Sequence, residues 1–301
     1  MIKIYAIIVT YNAMRRGWID RCIQSVQNSS VAAIPVIIDN GSTDGTREYV
    51  PKTYPEVIWL PQEKNLGFGQ ANNIGIRYAL EQHADFVLLL NQDARLHPKA
   101  IEYMLNASDG EALISPLQLN GDGTAIDRMF CITLHQAGNE LLDDLLIHKT
   151  TRDSYQIGDV AAACWFMPIS LFHKIGGFNP LFFQYCEDNN YTQRLLYHNI
   201  MTLLVPQAVM YHDRNVHGNT QLYNHRFLHR ELLLLFCNIN LGVFGCLKKL
   251  MQELILCYTK RLPQRNYRIG SFSYELGWFF FYQRRIRRSR KVEKLIGKNW
   301  L

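Results

Sequence analysis

The chain has 301 residues, 48% of them hydrophobic and 19% charged, with a net charge of +6. That balance excludes a disordered or low-complexity chain and allows one large core, or one catalytic domain with an appendage. The charge is concentrated: residues 284–298 hold Arg284, Arg285, Arg287, Arg288, Arg290, Lys291, Lys294 and Lys298 against Glu293 alone, so the rest of the chain is close to neutral and nucleic acid is not an expected partner. Seven cysteines without a CxxC pair argue against a zinc site or a disulfide framework and for a reducing compartment. The apolar run 4–9 is too short for a signal-peptide core, so a cytoplasmic location is expected.

In chain order the sequence predicts strands and helices in alternation. Residues 4–9 read as a strand, and 18–28 as a helix with Ile19, Cys22, Ile23 and Val26 on one face. A second buried strand covers 33–38, a second helix 44–54, a short strand 57–60, a helix 70–83, and a strand 86–90 that ends against Asn91-Gln92-Asp93. Pro98 then requires the chain to leave that strand as a loop. Residues 113–151 are less regular, with Asn120-Gly121-Asp122-Gly123 as a turn in a hairpin followed by a loop. Beyond them, 160–168 is strand-like, 169–175 helical, Gly176-Gly177 a break, 187–198 helical and 202–211 a strand. Strands spaced by helices of this length imply an α/β fold with a mostly parallel sheet flanked by helices.

From about residue 226 the character changes, dividing the chain into a domain over 1–225 and a C-terminal helical region over 226–301. Residues 232–247 lack charge, but Asn238, Asn240, Gly242 and Gly245 interrupt them, and they fall short of the roughly twenty apolar residues of a spanning helix. Trp278-Phe279-Phe280-Phe281-Tyr282, directly before the basic cluster, has the composition of a segment lying at an anionic membrane surface. A packed helical appendage with a solvated charged end is the alternative.

Four polar segments follow strand ends or open helices: Thr10-Tyr11-Asn12, Asp39-Asn40-Gly41-Ser42-Thr43-Asp44, Asn65-Leu66-Gly67-Phe68-Gly69-Gln70-Ala71-Asn72-Asn73 and Asn91-Gln92-Asp93. In a parallel sheet they converge on the carboxyl edge, where open α/β folds bind ligands. Each alone has a plainer role as a cap or a turn; their convergence points to a site. A dinucleotide-dependent oxidoreductase is excluded, because no G-x-G-x-x-G follows the first strand.

Taken in order, these segments resemble family 2 glycosyltransferases with the GT-A (Rossmann-like) fold, in the bacterial rhamnosyltransferase-like branch. Gly176-Gly177-Phe178-Asn179, Phe182-Phe183-Gln184-Tyr185-Cys186-Glu187-Asp188 and Val209-Met210-Tyr211-His212 extend the resemblance over about residues 3–220. The resemblance implies an inverting transfer of a sugar, such as rhamnose from dTDP-rhamnose or another sugar from a UDP donor, to a lipid-linked or growing cell-surface glycan. It implies that Thr10, Tyr11, Asn12, Asp39, Asn72, Asn73 and Asn91 line the donor nucleotide. Asp93 and His212 would hold a divalent cation, Mn²⁺ or Mg²⁺, with His217 as the other choice of histidine. Asp188 would be the general base and Glu187 would shape the acceptor side. Asn91 stands where the family's metal motif has an acid, and Thr220 where many relatives have Ser. A non-catalytic nucleotide-binding or partner subunit is the alternative. The expected location is the cytoplasm, peripheral on the inner face of the plasma membrane.

Overall fold

A computed structural model describes residues 2–136, 140–213, 230–256 and 269–301. The sequence segments around His217 and Thr220 therefore lie outside the described residues. The chain opens with β1 (Ile4–Thr10), α1 (Trp18–Gln27), β2 (Ile34–Asp39), α2 (Thr46–Thr53), β3 (Ile58–Trp59), α3 (Phe68–Glu81) and β4 (Phe86–Asn91). β1 pairs in parallel with β2 and β4, and β2 with β3. These strands are apolar almost throughout because helices cover both faces of the sheet. Alternation on β1 sorts its side chains: Ile4, Ala6 and Ile8 pack with Ile19, Cys22 and Ile23 of α1, while Tyr5 and Ile7 pack with Ile76 and Ala79 of α3 on the other face.

Beyond β4 the sheet is mixed. After β5 (Ala94–Leu96) and α4 (Ala100–Asn106) come β6 (Leu113–Asn120), α5 (Arg128–Gln136), α6 (Glu140–Asp143), β7 (Tyr155–Ile157) and β8 (Cys164–Pro168). α7 (Ile169–Ile175), α8 (Glu187–Tyr197) and β9 (Thr202–His212) complete the sheet domain. The strand order is β3-β2-β1-β4-β8-β6-β9-β5, with β7 also on β9. β8 runs antiparallel to both β4 and β6, and β9 is parallel to β6 but antiparallel to β5 and β7. The stretch expected to be irregular thus supplies β6, a buried central strand. The loop expected after Asp93 contains β5, which pairs Ala94 with His212.

The C-terminal region does not stand apart from this domain. Residues 230–237 form a helix, α9, followed by α10 (Val243–Leu256) and α11 (Ile269–Glu293). The uncharged run 232–247 is split: Leu232, Leu233 and Cys237 are buried, whereas much of α10 is exposed. On α11, Ile286, Ser289 and Glu293 face inward and are buried, while Arg284, Arg285, Arg287, Arg288 and Lys291 face outward. Asn179 Nδ2 donates to Ser289 Oγ and to Glu293 Oε1, both at 2.7 Å. The Arg290 guanidinium donates to the carbonyls of Phe236, Asn238 and Leu241, satisfying the open C-terminal end of α9. Residues 297–301 are stitched beneath the site: Gly177 N donates to Asn299 O at 2.8 Å and Gly297 N to Lys174 O at 2.9 Å. The 284–298 cluster is therefore both a packing element and a basic face, with its inward residues at helical spacing.

Asn179 is a buried link between the two regions, so Asn179→Ala should destabilise the chain by about 1–3 kcal/mol, because it leaves the buried Glu293 short of a donor. Urea unfolding monitored by tryptophan fluorescence measures this, and an unchanged midpoint would show that the link carries no stability.

Candidate active site

The site is built where four strand and helix ends meet. At the end of β1, Tyr11 and Gln92 clamp each other: Tyr11 N donates to Gln92 Oε1 at 2.9 Å and Gln92 Nε2 to Tyr11 O at 3.2 Å. Asn12, at φ 51°, donates its N–H to Ser42 Oγ and accepts from Thr43 N at 2.9 Å on its side chain. Asp44 accepts from Thr46 N and Met14 N, which caps α2 and closes the 12–14 loop onto the 42–46 turn. Asp39 is fully buried with its Oδ2 2.9 Å from Arg47 Nε, and Thr10 Oγ1 lies 3.4 Å from its Oδ1. Thr10, Tyr11, Asn12 and Asp39 thus share one corner, where Tyr11 is the exposed member.

The glycines of the Asn65–Asn73 segment let other chain segments approach. Gly67 sits at φ +84°, and a Cβ there would fall 1.9 Å from Phe183 O; a Cβ at Gly69 would fall 2.8 Å from Phe178 Cβ. Asn40 and Asn65 tie the end of β2 to the start of α3, with Leu66 N donating to Asn40 Oδ1 at 2.8 Å. Asn73 and Asn72 both use their side chains on protein groups. Asn73 was expected at the nucleotide, but its Oδ1 accepts from Phe178 N at 2.7 Å while its Nδ2 donates to Phe178 O and Trp300 O; it is a buried brace between α3 and the Gly176-Gly177-Phe178 turn. Asn72 is also buried, and its Nδ2 turns back onto Phe68 O at 3.0 Å, one helical turn away.

Asp93 and His212 are brought together by the β5–β9 ladder, with Asp93 Oδ1 3.3 Å from His212 Nε2. On the other side of the ring, Asp127 Oδ2 stands 3.8 Å from His212 Nδ1. Asp127 is buried, and its Oδ1 accepts from Met129 N and Phe130 N, capping α5. Sequence reasoning missed it, and the only available signal, an Asp just before a helix, reads as an ordinary cap.

The fit to a divalent cation can be tested on this geometry. Ligands about 2.1 Å from one octahedral ion at right angles lie about 3 Å apart, close to the observed Asp93–His212 gap. Asn91 Oδ1 is buried without a hydrogen-bond partner, at the end of the strand that leads to Asp93. The carboxylate and amide oxygens suit Mn²⁺ or Mg²⁺, and the imidazole favours Mn²⁺ of the two. Among the described residues no cluster of three or more His, Cys, Asp or Glu could hold a metal. Asp93, His212 and the Asn91 amide oxygen are the groups here that would hold such a cation, as part of a coordination shell.

Glu187 and Asp188 open α8 behind residues 182–186, where Tyr185 and Cys186 both have positive φ. Glu187 is buried against Gly69, and Asp188 accepts a hydrogen bond from Asn189 N at 2.9 Å. Burial pushes the Glu187 carboxyl well above the usual range, and the charge of Asp188 adds to this. Burial also raises Asp188; hydrogen bonds from the amides of Asn189 and Ala162 partly offset the rise, and the charge of Asp159 reinforces it. Ala163, next to Ala162, accepts from Asn91 N at 2.9 Å, so Asp188 belongs to the same edge as Asn91.

The profile of glycosyl transferase family 2 matches residues 5–175, a span that ends before Glu187, Asp188 and His212. The N-acetylglucosaminyl-diphospho-decaprenol L-rhamnosyltransferase of Mycobacterium tuberculosis is 26% identical over 220 residues, covering 65% of this chain and 72% of that one. The low-salt glycan biosynthesis hexosyltransferase Agl10 of Haloferax volcanii is 26% identical over 55% of this chain and 54% of its own. The dTDP-rhamnosyl transferase RfbF of Shigella flexneri is 30% identical over 36% of each. Among solved structures, GalNAc-T7 with UDP, GalNAc and Mn²⁺ superposes with a TM-score of 0.59 at 15% identity, over 79% of this chain and about half (51%) of that one. That likeness shows the fold, a GT-A arrangement of sheet and helices.

The raised pKa of Glu187 has a consequence for stability. An unfolded carboxyl ionises near 4.5, whereas the folded one keeps its proton to higher pH. As pH rises above that value, the unfolded state loses a proton that the folded state retains, and stability falls until the folded group ionises as well. Glu187→Gln is neutral at every pH, so between pH 5 and pH 8.5 its melting temperature should decline less than that of the wild type. Parallel declines in thermal melts across that range would refute the assignment.

Proposed function

The chain belongs to glycosyl transferase family 2, and we propose that it is an inverting, divalent-cation-dependent transferase acting on a lipid-linked or growing cell-surface glycan. The observation that carries this reading is the single edge holding Asp93 beside His212, the unpartnered Asn91 Oδ1, and Asp188. A nucleotide-sugar donor fits it, and rhamnose from a dTDP donor is the first choice because two of the relatives above are named as rhamnosyltransferases. A UDP-sugar is the competing donor.

Within that reading, Thr10, Tyr11 and Asp39 form the floor and rim of the nucleoside corner, and the Tyr11–Gln92 clamp holds the rim against β4. Asp93 and His212 would hold the cation, with Asn91 beside them. When bound, the cation would offset the negative charge of the departing diphosphate. Asp188 takes the proton of the acceptor hydroxyl on the face opposite the leaving group, so displacement inverts the anomeric carbon. Its raised basicity suits it to that task, and Glu187, more strongly held neutral, can donate a hydrogen bond to the acceptor. The six described cysteines are all free, which supports a reducing, cytoplasmic location. We place the enzyme on the inner face of the plasma membrane, where a lipid-linked acceptor is available. Asn91 in place of an acid favours a second reading, a non-catalytic nucleotide-binding subunit, and release of nucleoside diphosphate that depends on added acceptor distinguishes the two.

A thermal-shift screen of nucleotide sugars with and without Mn²⁺ tests the reading, because a bound donor stabilises the folded chain by mass action. The expected result is a metal-dependent shift with one donor class; no shift with any sugar nucleotide would overturn it. Asp93→Ala should abolish the metal-dependent part of donor binding while leaving the melting temperature of the free protein within about 2 °C, since a partly exposed carboxylate at a strand end contributes little to packing. Calorimetry with donor and Mn²⁺ measures this, and unchanged affinity would remove Asp93 from the metal site. Asp188→Asn keeps shape but cannot accept a proton. Donor affinity should stay within about threefold and turnover fall by at least about 100-fold; turnover close to wild type would move the base elsewhere.

A further inference from the structure

α10 exposes an apolar stripe that no described residue covers. Phe244, Leu247 and Met251 recur at helical spacing with Val243 beside them, and their exposures are 88%, 45%, 56% and 70% in that order. The opposite side of the helix is anchored, with Cys246 buried and its Sγ 3.4 Å from Leu235 O. Lys248 flanks the stripe, Lys249 lies toward the Cys246 side of the helix, and both are exposed. Arg290 ties the turn before α10 to α11 through Leu241 O. Within three turns of Arg290, α11 exposes Phe281, Arg284, Arg285, Arg287 and Arg288. Residues 241–252 and 281–291 contain no Asp or Glu.

We propose that this face of α10 is a docking surface for an anionic lipid bilayer. Phe244, Val243, Leu247 and Met251 enter the interfacial region, Lys248 lies at headgroup level, and the α11 arginines supply the longer-range attraction. The occupant follows from charge and shape. An apolar stripe bordered by Lys248, on a helix whose one acid is Glu253, and set near the outward arginines of α11 complements a negatively charged, apolar-cored surface. A second copy packed face to face would set the same cations against each other, because a two-fold contact pairs one patch with itself. α10 has 14 residues and so is about 21 Å long at 1.5 Å per residue, shorter than a hydrocarbon core of about 30 Å. Among the described residues no helix is long and apolar enough to cross a membrane; this one lies on the surface.

The surface is also joined to the site. Asn240 Nδ2, in the turn before α10, donates to Gln193 O of α8 at 2.7 Å, and α8 begins at Glu187-Asp188. Docking through α10 would therefore hold the acceptor side of the site at a fixed height above the membrane. This inference rests on the reading of a lipid-linked acceptor and moves the membrane contact from the tail, where composition alone placed it, to α10.

The full chain is tested by cosedimentation with vesicles of phosphatidylcholine containing 30% phosphatidylglycerol, at low and physiological salt. The wild type should bind the anionic vesicles and bind pure phosphatidylcholine at least tenfold more weakly. Phe244→Ser with Leu247→Ser should weaken binding at least tenfold at both salts with an unchanged melting temperature, since both side chains are exposed. Arg284→Gln with Arg285→Gln should cause a smaller loss that vanishes at high salt. Unchanged binding by the Phe244/Leu247 variant overturns the proposal. So does a wild type that ignores vesicles, including one that forms a dimer dissolved by the same substitutions. Both variants should retain metal-dependent donor binding, so a failure here is distinguishable from a failure of the transferase reading.

Discussion

A ladder of three residue pairs organises the chemistry. β5 lies antiparallel to the end of β9 with Ala94 opposite His212, and Asp213 N donates to Asp93 O at 2.8 Å. Because side chains alternate along a strand, a slip of one residue would turn His212 to the other face of the sheet and dissolve the pair with Asp93. Several unrelated interactions hold the register. Leu96 N donates to Ser25 Oγ at 3.0 Å, the Arg95 guanidinium lies 3.8 Å from the Tyr211 ring centroid, and Arg21 meets Asp213 at 3.0 Å. A short ladder is weak alone, and these contacts to α1 and β9 turn it into a rigid mount. Behind it, Asp127 fixes the start of α5 with one carboxylate oxygen and faces the His212 ring with the other, so the segment after β6 is coupled to the same histidine.

The second constraint is close approach. Gly67 and Gly69 allow residues 178–187 to rest on the start of α3, and Asn73 locks that arrangement by bonding both polar atoms of Phe178. Phe178 in turn stacks on Trp165 with ring centroids 5.8 Å apart, which connects the turn to the sheet. The same packing removes water from Glu187. A buried carboxyl without a cation bonded to it costs stability at neutral pH, and the fold retains this cost at the point where an acceptor hydroxyl would be handled. Arg194 does the opposite work nearby. Fully buried, it donates to the carbonyls of Ile175 and Gly177 at the end of α7, so its charge is used to hold the turn that carries Phe178.

The parallel half of the sheet was legible in the sequence because local signals agreed with the final fold. Apolar runs of strand length alternated with helical periodicity, and the polar segments fell at the carboxyl ends. The mixed half was not, for identifiable reasons. β6 reads Leu-Ile-Ser-Pro-Leu-Gln-Leu-Asn, and its Pro argues locally against a central strand; the structure accommodates it where the β6–β9 register shifts, between Pro116 and Leu117. β5 is too short to show any period, and only its partner across the sheet makes it a strand. At the site, Asp93, His212 and the 187–188 pair were visible as motif positions. Asn73 reads the same in a motif whether it faces a ligand or braces a backbone turn, as it does here, and the pairing of Asp127 with His212 could not be read because the two are distant in sequence.

The C-terminal region shows why net charge is a poor guide to what a segment does. Eight basic residues within 284–298 suggest one electrostatic role, yet the helix divides them. Its inward positions, Tyr282, Ile286, Ser289 and Glu293, recur every three or four residues and meet α9 and the Asn179 turn. Arg290, one step from Ser289, is drawn inward with them and is spent on three carbonyls. The remaining cations keep their heads in water. Packing therefore fixes the azimuth of α11, and that azimuth decides which charges a membrane or any other partner can meet. Since Arg290 also holds the turn leading into α10, the orientation of the exposed basic face and that of the apolar stripe are set by the same guanidinium. The stripe in turn is tied through Asn240 to the helix that opens with Glu187 and Asp188, so the positions of that acidic pair and of the apolar stripe are set by one connected set of hydrogen bonds.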